Sequence, residues 1–418
     1  MTTRRNFLAT LAASLGSSAF AAPAKPKTIL LQSAWDTVNI GDIGHTPGTL
    51  RIIERHLPDA RVVVWAMKLD ERVTAMLRRR FPKVEFLQGS LTGKGERDEK
   101  LREAIRGCDL FIRNSGMGQD TSFMEFCRKI GKPYGLYGQS YFPSMVEGKG
   151  AAERIAMLNG AAFIYCRDGK SLDILRKAGV KPPVLEFGPD GCFGIDVRDE
   201  ERGLAFMKKA GLEERKFITI QLRTQTAKHP GKDNPPLNPL HPTPQQKADD
   251  ERRASVYREL ITAWVKRTGC KVLIAPEVEK EMVHNKRLLH DPLPADIRKH
   301  VVNLDCFWNA DEAASVFARA HTAVCHEPHS LIIALANGTP VIHTYSEFHS
   351  PKCWMFRDIG LPEWLLEFDS TPAAKMAETL FAIHDNYPAA LAKVKKAMAF
   401  VEQRQAATMT VVKRLLGL

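Results

Sequence analysis

From residue 28 onward the chain alternates short, wholly apolar runs with longer stretches whose apolar residues recur every three or four positions. The short runs are rich in Val, Ile, Leu and Phe without a polar alternate, as in parallel strands buried on both faces. The longer ones carry the period of amphipathic helices. The pattern predicts strands at 28–32, 61–66, 84–87, 109–113, 134–138, 163–166 and 184–187. Helices are expected between them at 47–57, 70–81, 97–107, 120–130, 149–160 and 169–178. A glycine-rich, charged stretch at 188–203 breaks the rhythm and reads as a domain connection. A second series follows, with strands at 217–222, 271–275, 300–303, 322–325 and 340–343. Its helices are expected at 250–268, 280–290, 310–318 and 329–337. Regular strand–helix alternation predicts doubly wound parallel sheets, so the expected fold class is α/β with two Rossmann-like domains facing across a cleft. The expected domains are 27–195 and 196–371, with helices over 372–418 closing the chain.

Two segments depart from this pattern. Residues 224–249 hold six prolines directly after a strand end, and a long loop of that kind in a compact domain is expected to be a lid or rim. Residues 1–22 read as a twin-arginine export signal: Arg4-Arg5, then Phe7-Leu8, an apolar stretch and Ala19-Phe20-Ala21 as a small-residue cleavage site. The expected location is therefore periplasmic or exported. The apolar run falls short of the ~20 residues needed to span a bilayer, so no integral membrane segment is expected after signal removal.

A formal charge of +12 raises the question of nucleic acid. The basic residues are interleaved with acids along helices, as in "ERDEKLREAIR", and form no aromatic-laced stripe, so no nucleic-acid partner is expected. A positive cleft for an anionic sugar, phosphate or carboxylate fits better. The eight cysteines show no C-x-x-C spacing and sit in or beside apolar strands, where they read as small core residues; their pairing stays open.

Candidate chemistry lies at strand ends, where open α/β sheets place ligands. After the first strand come Asn39, Gly41 and Asp42, followed by an expected helix start near Pro47 to Thr49 whose free N–H groups would suit an anion. Asp42 is either a hydroxyl acceptor and base or a loop-fixing residue, and Asn39 reads as a cap. Ser115 and Gly116 follow another strand, with Gly118 close behind. Arg167 and Asp168 open a helix, where a capping aspartate with a paired arginine is the plain reading. Arg223 ends a strand facing the cleft and suits bidentate capture of a carboxylate or phosphate. The segment "HTAVCHEPHSLIIALANGTPVI" at 321–342 hands His326, Glu327 and His329 to a loop before an apolar helix. His343, Glu347, His349 and Lys352 follow nearby, and Tyr345 and Trp354 are candidates for stacking on a sugar or for core. These histidines and acids show no recognised ligand spacing, and no metal is expected.

With both domains placed, the chain resembles the polysaccharide pyruvyl transferase family. The resemblance rests on short motifs in order: "NIGD" at 39–42, "CDLFIRNSGMG" at 108–118, "YGLYGQSYFP" at 134–143, "YCRDGKSLDILRKAGV" at 165–180, "GPDGCF" at 188–193, "ITIQLRT" at 218–224, "HSLIIALANGTPVI" at 329–342, and Lys352 with "DIGL" at 358–361. It implies a glycosyltransferase-B-like pair of domains and transfer of a pyruvyl ketal, or a similar small acidic group, to a saccharide. It further implies that His329 is a general acid on an enol-ether carbon or a base on a sugar hydroxyl, roles that suit imidazole. At the family's Arg-x-His position the arginine is replaced by Glu327, whose carboxylate would repel phosphoenolpyruvate; it could serve as a replacement base, a hydroxyl acceptor or a partner of Lys352. No cofactor is expected, and phosphoenolpyruvate, the donor implied by the family, fits poorly with Glu327 and with export. Two alternatives stand beside this reading. One is a nucleotide-sugar glycosyltransferase, whose Glu-Pro-x-Gly-Leu signature resembles "EPHSL" but needs a second glutamate where Leu335 stands. The other is a non-catalytic exported carbohydrate-binding protein.

Overall fold

The computed structural model describes residues 25–117, 121–224, 243–346 and 351–418. The export-signal reading of 1–22, most of the proline-rich segment, Gly118, Glu347 and His349 lie outside the described residues. Seven strands form the first sheet: β1 (Thr28–Ser33), β2 (Arg61–Ala66), β3 (Glu85–Leu87), β4 (Leu110–Met117), β5 (Tyr134–Ser140), β6 (Phe163–Cys166) and β7 (Leu185–Phe187). Six form the second: β8 (Phe217–Gln221), β9 (Lys271–Ile274), β10 (Val301–Asn303), β11 (Thr322–Cys325), β12 (Val341–Tyr345) and β13 (Leu365–Glu367). The orders are β3-β2-β1-β4-β5-β6-β7 and β10-β9-β8-β11-β12-β13, parallel throughout. Each sheet therefore has a topological switch point, β1/β4 in the first and β8/β11 in the second. β1, β5, β8 and β11 are buried along their whole length, which explains their unbroken apolar runs.

Several elements differ from the expectation, among them a helix at Glu200–Ala210 where only a connection is expected, and β4, which extends through Ser115 and Gly116 instead of ending before them. The first helix begins at Ile40, not near Pro47: the Asn39 side chain accepts hydrogen bonds from the N–H groups of Gly41 and Asp42, and Pro47 lies inside the helix. The free N–H groups expected near Pro47 to Thr49 are thus interior to a helix. Glycines at 41, 44 and 48 disguise it in the sequence, yet they lie on one packed face. A Cβ on Gly41 would stand 2.6 Å from the His329 Cβ, and one on Gly48 only 2.2 Å from the Gly191 carbonyl oxygen. Close packing, not helix propensity, keeps these residues small. The last part of the proline-rich segment is helical, because Thr243 and Gln246 make a capping box with Pro244 in the first turn. The sequence also gives no sign of β13, since three half-buried residues are too few to show a period.

The long closing helix Tyr387–Leu416 bridges the domains. Val394, Ala397 and Val401 join the core of the second domain, while Met409, Val412 and Leu416 pack into that of the first. The junction is also hydrogen-bonded through backbone: Asn39 bridges Val278, Ile40 N–H donates to Glu277 O at 3.0 Å, and Glu279 N–H donates to Val38 O. All eight cysteines are free thiols. No helix among the described residues is long and apolar enough to cross a membrane.

Candidate functional site

Loops from both switch points converge on His329, which stands in the first turn of the helix Pro328–Ala336. Its Nδ1 lies 3.2 Å from Glu277 Oε1, on the loop after β9, and its Nε2 lies 3.8 Å from Asp190 Oδ2 of the first domain. Glu277 is held in turn by the N–H and hydroxyl of Ser330, at 2.7 and 3.0 Å. His329 is buried, and burial alone would strip its proton. Attraction to Asp190 and Glu277 overrides that and lifts its pKa to about 9. At neutral pH the ring is an imidazolium held between one carboxylate from each domain.

Asp190 anchors the first-domain corner. One oxygen accepts from Arg167 Nη1 at 2.7 Å; the other accepts from the Cys192 N–H at 2.8 Å and lies 2.9 Å from His45 Nδ1. Burial opposes its ionisation, but His45, His329 and Arg167 hold it well below the usual carboxylate range. His45, fully buried, is pushed down by desolvation and stays neutral; its ring meets that of His329 edge to face at 4.7 Å. Arg167 also donates Nε–H to Ser140 Oγ at 2.8 Å, and Ser140 donates to Asp168 at 2.6 Å. Asp168 caps the helix Gly169–Lys177 through the Ser171 N–H. Arg167 is therefore committed to an internal ion pair, and Asp168 is a cap. Ser115, at a φ of 21°, turns its hydroxyl toward Asp190 at 3.4 Å, and the Gly116 carbonyl accepts from Arg167. His45, Asp190 and His329 each place one potential ligand atom within 4.8 Å of the others. The Arg167 guanidinium, 3.5 Å from His329 Nε2 and 2.7 Å from Asp190, already supplies the cation in that corner.

The second-domain corner centres on Glu327. Arg223 Nη1 lies 2.9 Å from one of its oxygens and Lys352 Nζ 3.0 Å from the other. Burial pulls its pKa up, but Lys352 and Arg223 hold it well below the normal range, so Glu327 is a counter-ion and a poor base. Arg223 also approaches Glu281 at 3.9 Å; burial raises that carboxyl to about 7. Asp42 lies between the corners, partly buried. Desolvation raises its pKa while the charges of His329 and Lys352 lower it, leaving it above its ordinary value. His326 packs its ring edge-on against Phe368 at 5.2 Å, and His343 Nδ1 reaches the Cys325 carbonyl. Tyr345 and Trp354 face each other at 5.7 Å, with Arg357 over the Trp354 ring.

The profile of the polysaccharide pyruvyl transferase family matches residues 39–347, well over half the sequence. The chain belongs to the polysaccharide pyruvyl transferase family. Membership places it among carbohydrate-modifying transferases, and the matched span contains every residue of both corners except Lys352. No curated protein matches the sequence. Among solved structures, MnaA from S. aureus, solved with UDP, is 11% identical at a TM-score of 0.57, covering 94% of this chain and 97% of its own. Anabaena Alr3699/HepE, in complex with UDP and glucose, is 13% identical at 0.54, with 94% and 100% covered. A putative UDP-N-acetylglucosamine 2-epimerase from Listeria monocytogenes is 11% identical at 0.54, with 93% and 96% covered. At such identities these likenesses show the fold alone: two Rossmann-like domains in the glycosyltransferase-B arrangement.

In this family member the structure brings together Asp42, Arg167, Arg223, Glu327, His329 and Lys352, with Asn39, Gly41, Ser115 and Gly116 supporting them. Three residues escape sequence reasoning: His45, Asp190 and Glu277. Asp190 sits in the "GPDGCF" motif, read as a domain connection and as a family motif but not as a site residue. His45 is hidden in a helix that looks like a loop, and Glu277 follows β9 within "APEVEKE" as one acid among several.

Proposed function

We propose that this chain transfers or removes a pyruvyl ketal, or a similar small acidic group, on a saccharide bound between the two sheets, with His329 as the general acid. The observation that carries the reading is the imidazolium clamped by Asp190 and Glu277. A ring charged at neutral pH has a proton to give and cannot act as a base. Its Nε2 lies 3.8 Å from Asp190 where its Nδ1 lies 3.2 Å from Glu277, which makes the Nε2 proton the less tightly held. His329 delivers that proton to one ketal oxygen, whose bond to the ketal carbon breaks so that it departs as a saccharide hydroxyl. Water or an acceptor hydroxyl adds to the resulting oxocarbenium carbon and gives its proton to Asp42; the second ketal C–O bond then breaks in the same way, its oxygen regaining a proton, which completes removal or transfer. Desolvation supports that role of Asp42, because a carboxylate with raised pKa is a better acceptor. The leader read at 1–22 supports an exported location, where a saccharide acceptor is at hand. A nucleotide-sugar reaction has less support, since Leu335, where its second glutamate would stand, is wholly buried.

The test is to incubate the full-length protein with plain and pyruvylated glycans, with and without phosphoenolpyruvate, and to follow the ketal methyl group by NMR. Turnover on one of these mixtures, falling ~10²–10⁴-fold in His329→Gln, is expected. Saccharide binding without turnover, unchanged in His329→Gln, would leave a carbohydrate-binding protein instead.

A further inference from the structure

We propose that Glu327 is a built-in anion that fills a two-cation seat beside His329 and so decides the charge of the ligand this site accepts. This rests on the placement of the ligand at His329 proposed above. Glu327 is the N-cap residue of the helix Pro328–Ala336, where a carboxylate ordinarily accepts from the free N–H groups of the first turn. Its side chain makes no cap hydrogen bond. It reaches instead across Arg223 and Lys352, giving one oxygen to each at 2.9 and 3.0 Å. Two cations sharing one carboxylate, an oxygen apiece, are the arrangement that would otherwise grip an incoming carboxylate or phosphate.

The seat stands where the fold places ligands. Arg223 follows β8 and Glu327 follows β11, the two strands of the switch point, while Lys352 arrives on the turn Pro351–Trp354. A carboxylate tethered to the chain is always present at high effective concentration, so a free anion must displace it before it can bind. Displacement is opposed a second time, because a buried carboxylate pulled from both partners loses its compensation. The ligand class that follows is a saccharide carrying no charge, or at most one, at this seat. A phosphate-bearing donor is excluded by occupancy, not by a lack of basic residues.

Calorimetric titration of the full chain with inorganic phosphate and with phosphoenolpyruvate tests this, alongside thermal melting in the same ligands. Glu327→Gln is expected to bind both at least roughly tenfold more tightly than wild type and to gain melting temperature on their addition, as mass action requires. Adding Arg223→Gln to that variant should abolish the gain. Glu327→Asp, which keeps the charge but withdraws it from the cations, should show a smaller gain and serves if the glutamine variant does not fold. Wild type binding either anion as tightly as both variants, or a gain that survives Arg223→Gln, overturns the proposal. Binding is read without turnover, so a failed transferase reaction leaves this result interpretable on its own.

Discussion

The site has two corners built on one plan, a buried carboxylate between cations, and they differ in how firmly that carboxylate is held. Asp190 is wholly buried, its partner Arg167 is 3% exposed, and a backbone N–H, a serine hydroxyl and two imidazoles complete the packing. Glu327 is held by Arg223 and Lys352, 15% and 25% exposed, through long side chains. The first corner is a scaffold that fixes His329; the second holds its carboxylate through two cations alone, so its anion opens to exchange only when Glu327 is altered. Charge pairing alone does not separate structure from specificity. The number of independent contacts on each carboxylate does.

The sharpest way to break the comparison is Asp190→Asn. It strands the Arg167 and His329 charges in the interior and should cost ~3–5 kcal/mol in urea unfolding, with no recovery in phosphate. A loss no larger than that of Glu327→Gln would mean the corners are equivalent.

The two corners should also respond to pH in separate windows. His329, raised to about 9, stabilises the fold fully below its unfolded value near 6.5 and loses that contribution as pH rises through 9. Glu281, raised to about 7, contributes fully below about 4.5 and loses its share as pH climbs through 7. Each limb is worth up to ~3 kcal/mol. Unfolding free energies across pH 5 to 10 should lose the alkaline limb in His329→Gln and the acidic-to-neutral limb in Glu281→Gln. A single limb removed by either variant would show that the corners titrate as one unit.

Gly41→Ala drives a methyl group against His329 and should cost ~1–3 kcal/mol, with reduced turnover beyond what the stability loss explains. The smallest effect is expected for Lys352→Met. Its partly exposed pair should be worth ~1 kcal/mol or less in stability, and its consequence should be read in ligand selectivity.

Much of this molecule can be read from its sequence. Strands buried on both faces announce themselves as unbroken apolar runs, so the β1 and β11 strands, and with them the positions of Asp42 and His329 near strand ends, are visible without a structure. Arg223 and Glu327 are visible as candidates for the same reason, and Lys352 through the family resemblance. What the sequence misreads has physical causes. The helix at Ile40 is disguised because its glycines answer to the neighbouring turn at Gly191 and to His329, contacts far away along the chain. Arg167 reads in the sequence as paired to an acid, but that the acid is Asp190, 23 residues on, shows only in the structure. Glu277 is indistinguishable from its acidic neighbours until the junction backbone places it 3.2 Å from His329.

The sequence by itself therefore determined the α/β class, the two sheets and the identity of the central histidine, because periodicity and strand-end position are local properties of the chain. Only the tertiary structure decided which carboxylate charges that histidine, which arginine is already spoken for, and that Glu327 sits where an anion would bind. Those outcomes depend on groups dozens to hundreds of residues apart being desolvated together, and no local pattern encodes the electrostatics of that meeting.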